Sequence, residues 1–158
     1  MTVRGAPVKR SRRGGFDLRI PTAEREILGT IPEMLRALLV DGGATDPALQ
    51  RLYPKAFTDD EDASAEFYDI THDELLKQRL AAIDTMERTL RSDHLSEDEL
   101  LAWLAALNDV RLVLGVRLAV TEEATAADFA GDPETGRAYE LYRYLSFLEE
   151  HVVDALSS

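Results

Sequence analysis

A mainly α fold, a helical bundle of four main helices with a small N-terminal β-hairpin, is what this 158-residue sequence predicts. Three observations lead there. Apolar residues recur at three- and four-residue spacing through four long stretches, the period of an amphipathic helix. Near the start, VKRSRR (8–13) and FDLRI (16–20) flank Gly14-Gly15, and adjacent glycines supply the positive φ angles of a tight hairpin turn. One stretch, AWLAALNDVRLVLGVRL (102–118), is apolar on most faces, with Asn108, Asp109, Arg111 and Arg117 as its strongly polar residues. Polar side chains on a helix buried that completely must find partners, so this segment is the expected structural centre.

The hairpin comes first in chain order. Phe16, Leu18 and Ile20 alternate to one face and should dock onto helices, since an isolated hairpin is marginal in water; the arginines of the arm then point outward. Thr22 is the expected N-cap of a first helix with Ile27, Leu28, Ile31, Leu35, Leu38 and Leu39 on its apolar face, kinked at Pro32 and closed by Asp41-Gly42-Gly43. A short helix over 46–53 should stop at Pro54. The acidic stretch 58–62 reads as a solvated loop or the first turn of a helix through 65–70. A long helix should open at Thr71, where Glu74 three residues on has capping-box spacing, and carry Leu76, Leu80, Ile83, Met86 and Leu90 as its stripe. The central helix repeats the device with Ser96 and Glu99 and places Leu100, Leu104, Leu107, Leu114 and Leu118 on one stripe, with Arg111 among them. A loop over 121–136 precedes a last helix from about 137 to 156, whose core face is Leu141, Leu145, Leu148, Val152 and Leu156.

Length and composition point to a single domain over 1–158, a basic hairpin arm (1–20) on an acidic helical body (21–158). No run of about 18 uncharged apolar residues occurs, because Arg111 and Arg117 interrupt the best candidate, so no membrane span is expected. The basic N-terminus lacks the apolar core of a secretory signal, which points to a cytoplasmic location. The absence of cysteine excludes disulfides, thiolate metal sites, a cysteine nucleophile and a thiol switch within these residues. Net charge is -12, unevenly placed. Arg4, Lys9, Arg10, Arg12, Arg13 and Arg19 face only Asp17 in the first twenty residues, a balance of +5, which leaves -17 on the remainder. A basic arm of this kind suits nucleic acid or an acidic protein surface, whereas the body repels phosphate; the plainer reading is an arm that folds back on the body.

Catalytic chemistry finds little footing. Asp59, Asp60, Glu61 and Asp62 lack the alternating ligands and sixth-position glycine of a calcium loop. His72, His94 and His151 lack the paired helical spacing that binds zinc. No nucleophile elbow or phosphate loop is present, so an enzyme is not expected, nor a metal or cofactor. Arg111, a guanidinium on an apolar stripe, must either pair with an acidic residue of another helix or recognise a partner's carboxylate or phosphate. Asn108 and Asp109 lie one turn earlier and are placed to orient it. Gly115, costly in a helix, reads as a point of close helix approach. Trp103, Tyr142 and Tyr144 read as core or rim aromatics.

The segments RLYPKAFTDD (51–60), AEFYDITHDELLKQR (65–79), 102–118 and YELYRYLSFLEEHVVDAL (139–156) resemble, in the same order and over about the whole chain, an actinobacterial family described as a domain of unknown function. The resemblance implies a small regulator, since a member is assigned to transcriptional control of the oxidative-stress response with a sigma factor. Family genes tend to lie beside the ClpS protease adaptor. Thiol sensing is associated with that regulator, and here the sequence departs from it, having no cysteine. Together these readings predict a non-enzymatic, transcription-associated protein. Lys9, Arg10, Arg12, Arg13 and Arg19 would contact DNA, a sigma factor or RNA polymerase, and Asn108, Asp109, Arg111 and Arg117 would form a polar cluster on the central helix. The alternative is an accessory of Clp-linked proteolysis that binds the adaptor. An apolar face left exposed on the last helix would favour a homodimer.

Overall fold

The computed structural model describes residues 5–41, 46–50, 52 and 61–158, with backbone alone at 50 and 61–71. It is mainly helical, with a small antiparallel sheet built on the N-terminal hairpin. Strands β1 (Val8–Arg10) and β2 (Phe16–Leu18) pair antiparallel with Val8 opposite Leu18 and Arg10 opposite Phe16. A third strand, β3 (His94–Leu95), pairs with β2 through Phe16–Leu95 and Asp17–His94. That strand is too short to carry a sequence period, and only its pairing defines it. Gly14 and Gly15 have φ of 89° and 68°. Gly15 is needed twice over, because a Cβ there would come within 2.6 Å of the Leu95 carbonyl oxygen.

Helices α1 (Thr22–Leu28) and α2 (Ile31–Asp41) replace the single kinked helix expected over this stretch. The break falls at Gly29-Thr30, not at Pro32. Proline stands second in α2, where its missing N–H has no intrahelical acceptor to lose. Thr22 is the first helical residue and not the cap; Pro21 precedes it without a side-chain cap bond. After α3 (Pro47–Gln50), α4 runs unbroken over Glu61–Thr89. Thr71 is therefore mid-helix and no capping box opens there. No glycine or proline occurs between Pro54 and Gly115, so nothing stops the helix at that threonine. The expected stops at Gly42-Gly43 and Pro54, and the side chains of the acidic run 59–62, lie outside the described residues.

The central helix α5 (Glu97–Leu118) begins at the predicted capping box: the Ser96 hydroxyl accepts from the Glu99 N–H at 3.1 Å and the Glu99 carboxylate accepts from the Ser96 N–H at 2.9 Å. It packs between α4 on one side and α6 (Pro133–Ser157) on the other. Its buried line is Leu100, Trp103, Ala106, Leu107, Val110 and Val113. The Trp103 indole donates to the Thr89 hydroxyl at 2.7 Å inside the core, and that hydroxyl in turn donates to the Thr85 carbonyl. A 3-10 turn (Ala126–Phe129) crosses the stretch expected to be a loop. Helix α6 starts four residues earlier than expected, because Asp132 caps it by accepting from the Thr135 N–H and Pro133 presets the first turn. Leu145, Leu148 and Val152 of α6 are fully buried.

Candidate functional site

The hairpin is held as a platform by its own sequence alternation. Val8, Phe16 and Leu18 turn inward and are at most 3% exposed, joined by Leu95 from β3. Lys9, Asp17 and His94 lie in one row across the outer face by register. Lys9, Arg12, Arg13 and Arg19 are exposed. The turn is closed by the Ser11 N–H donating to the Gly15 carbonyl at 2.9 Å, and the far end by the Arg19 N–H donating to the Pro7 carbonyl at 2.7 Å. The cations thus project from ordered backbone.

Arg10 departs from the expectation that the arm's arginines all point outward. Strand alternation puts it on the Phe16 side of the hairpin, where, still exposed, its guanidinium lies 4.8 Å from the centre of the Phe16 ring. From there it donates to the Leu156 carbonyl at 3.3 Å and the Ser158 hydroxyl at 3.4 Å. It occupies the negative end of the α6 dipole, a structural contact of the arm with the body. Sequence reasoning counts Asp17 against the arm's charge but does not foresee its partner. The Asp17 carboxylate sits 3.2 Å from His94 Nδ1. That hydrogen bond, above all, holds Asp17 below the usual carboxylate range, with the Arg13 charge adding to it. The outward positive edge is therefore Lys9, Arg12, Arg13 and Arg19, with an Asp–His pair at its middle.

The four polar residues of α5 do not assemble. Asp109, 3% exposed, turns to α4 and pairs with Arg79, whose guanidinium also donates to the Leu52 carbonyl. Burial outweighs that partner and pushes the Asp109 carboxyl up from the ordinary range. Arg111 turns the other way, to α6, with Nε 2.9 Å from a Glu149 carboxylate oxygen. The contact lies off the N–H line, so it is Coulombic more than a well-directed hydrogen bond. Desolvation pushes Glu149 upward, against the pull of Arg111. Arg117, half exposed, meets Asp46 at 3.5 Å. Asn108 is half-buried. Asp109 is turned away from Arg111 and cannot orient it; three charges on one helix serve three different neighbours. A Cβ on Gly115 would meet Tyr142 at an ordinary 3.5 Å, so the glycine is not demanded by close helix approach.

Arg25 gives no signal in the sequence. It reads as one more charged residue of a short helix, yet its guanidinium donates to the carbonyls of Ile20, Leu90 and Ser92 at 2.8–2.9 Å and to the Asp93 carboxylate at 3.1 Å. It ties α1 to the turn that delivers β3, and so fixes the platform from below. Only the carbonyls that a fold brings together could reveal it. Among the described residues no three His, Asp or Glu side chains converge as metal ligands, and no helix is long and apolar enough to cross a membrane.

The described residues form a helical body with a basic hairpin anchored to it. Residues 5–156 match the sequence profile of the family described as "Domain of unknown function (DUF2017)", and the chain belongs to that family. It is 30% identical to a Mycobacterium leprae protein named "Putative oxidative stress regulator AosR", over 70% of this chain and 58% of that protein. The chain thus spans under two thirds of that relative's length. No solved structure matches it.

Proposed function

We propose that this chain is a non-enzymatic regulatory protein of the oxidative-stress response that acts in transcription. Lys9, Arg12, Arg13 and Arg19 meet DNA phosphates or an acidic surface of RNA polymerase or a sigma factor, while the acidic body docks the protein component. The observation that carries this reading is the fixed presentation of the cations. Inner-face burial, the Arg10 tie to α6 and the Arg25 tie beneath β3 hold the hairpin in place, so it offers phosphate or carboxylate a preset set of charges. The relative's printed name supports the regulatory part of the reading.

The test is the salt dependence of DNA binding. Each phosphate contact contributes about 0.9 to the slope of log affinity against log salt. Replacing Lys9, Arg12 and Arg13 by glutamine should flatten that slope by up to about 2.7 if all three contact phosphate. An unchanged slope removes the hairpin from DNA contact. Co-purification with and without nuclease then separates the routes. Nuclease-resistant recovery of polymerase or a sigma factor supports protein contact, and recovery of Clp components without polymerase replaces the reading with one in regulated proteolysis.

A further inference from the structure

Where α5 ends, a recess of about 310 Å³ opens between Arg111, Gly115, Ala119, Val120 and Tyr142. Its shape follows from local sequence. Gly115 carries no side chain to fill it. The helix closes in a paired turn, the Val120 N–H donating to the Gly115 carbonyl and the Ala119 N–H to the Val116 carbonyl, which folds the chain back as a wall. Tyr142 forms the facing side and continues an aromatic series: the rings of Phe129 and Tyr139 stack with centres 4.4 Å apart, and Tyr139 and Tyr142 lie nearly parallel at 6.3 Å. Arg111 holds Nε 2.9 Å from a Glu149 carboxylate oxygen, and its two terminal nitrogens make no hydrogen bond among the described residues. A guanidinium has five donors in one plane, so most of this one's capacity is open at the recess.

We propose that this recess binds a small aromatic carboxylate, the carboxylate on the terminal nitrogens of Arg111 and the ring against Tyr142. The volume is at the small end of ligand pockets, about 300–1,000 Å³, which suits one ring and not a nucleotide or a flavin. The planar fork of arginine matches a carboxylate bidentately, and a ring laid on Tyr142 extends an aromatic series already present. Glu149 neutralises Arg111 from the other side, so the site takes a monoanion; a dianion would bring a second charge against the carboxylate of Glu149. The site lies on α5 and α6, is independent of the hairpin, and stands or falls apart from the transcription reading.

The test is a titration of the full chain followed by amide NMR shifts, with three probes: benzoate, benzyl alcohol (ring without charge) and acetate (charge without ring). Benzoate should give saturable shifts centred on 111–120 and 142, with both partial probes weaker by at least about tenfold, the loss expected for one charge-assisted contact or one ring face. Arg111→Gln should weaken benzoate at least about tenfold. If that variant fails to fold for want of a Glu149 partner, Gly115→Leu, which fills the recess from a half-exposed position, should weaken benzoate in the same way. No saturable benzoate shift, equal binding of benzyl alcohol, or undiminished binding in the folded variant overturns the proposal.

Discussion

Removing the carboxylate of Asp109 probes the most deeply placed charge described in the molecule. Its side chain is 4% exposed and pairs with Arg79, itself 20% exposed. Breaking a buried ion pair from one side typically costs about 3–5 kcal/mol, because the partner is left charged in a poor solvent. Here Arg79 keeps its bond to the Leu52 carbonyl and some access to water, which places Asp109→Ala at the lower end, about 3 kcal/mol. Asp109→Asn keeps the shape and one acceptor and should cost less. Replacing both partners together, Asp109→Leu with Arg79→Met, should cost far less than the two single changes combined, since neither charge is stranded. Urea unfolding followed by Trp103 fluorescence reads all of these, because that indole is buried against α4 in the native state. The sign of the pH dependence is also set. Burial raises the folded-state pKa of Asp109 above its ordinary 3.8. The folded chain therefore holds the proton more tightly, and this site's contribution is full below the unfolded value and fades as pH rises through the folded one. An Asp109→Ala cost under about 1 kcal/mol, or strict additivity in the double variant, would refute the reasoning.

Other expectations follow from single contacts. Ala119 ends α5 at φ 52°, a left-handed angle that costs a non-glycine residue about 1–2 kcal/mol, so Ala119→Gly should raise the urea midpoint by about 1 kcal/mol equivalent. Thr89→Val strands the Trp103 indole N–H in the core and should cost about 1–3 kcal/mol by the same assay; a neutral result would mean the indole finds another acceptor. Arg25→Lys should destabilise nearly as much as Arg25→Ala, because one ammonium cannot span three carbonyls and a carboxylate, and hydrogen exchange should rise first at β3. Asp17 is held below 3.8 by His94, so its stabilisation is present at neutral pH and drains away as pH falls through the lowered value. Asp17→Asn should flatten stability against pH in that acid window, and an unaltered profile would deny the His94 contact.

The hairpin and the central helix are legible in the sequence because each rests on local signals that agree: glycine turn with alternation in one, capping box with apolar period in the other. The split between α1 and α2 is not, since proline is the louder breaker in a string while Gly29-Thr30 is the break in space. Thr71 shows the opposite failure. Threonine followed three residues later by glutamate has capping spacing anywhere, but it caps only where the chain has already left the helix, and here it has not. The start of α6 is readable in Asp132-Pro133, and the polar composition of 121–136 masks it. Side-chain partners are the least accessible. That Arg111 would find an acid on another helix follows from its stripe, and Glu149 is that acid; that neighbouring Asp109 would face the opposite helix depends on the 100° between successive residues and on where α4 lies. Arg10 needs the strand register and the end of α6 at once.

That last contact bears on how the chain comes to be made. Arg10 grips a carbonyl that lies 146 residues further along, and β1 packs beside α6. On the ribosome the hairpin emerges well ahead of α6 and waits, its apolar face without that cover, until the residues between them have followed. Contacts of such long span are slow to form because a large loop must close before they return anything. Strand β1 thus waits on α6 for this contact, and the basic edge gains its Arg10 tie only once the helix beneath it has been made.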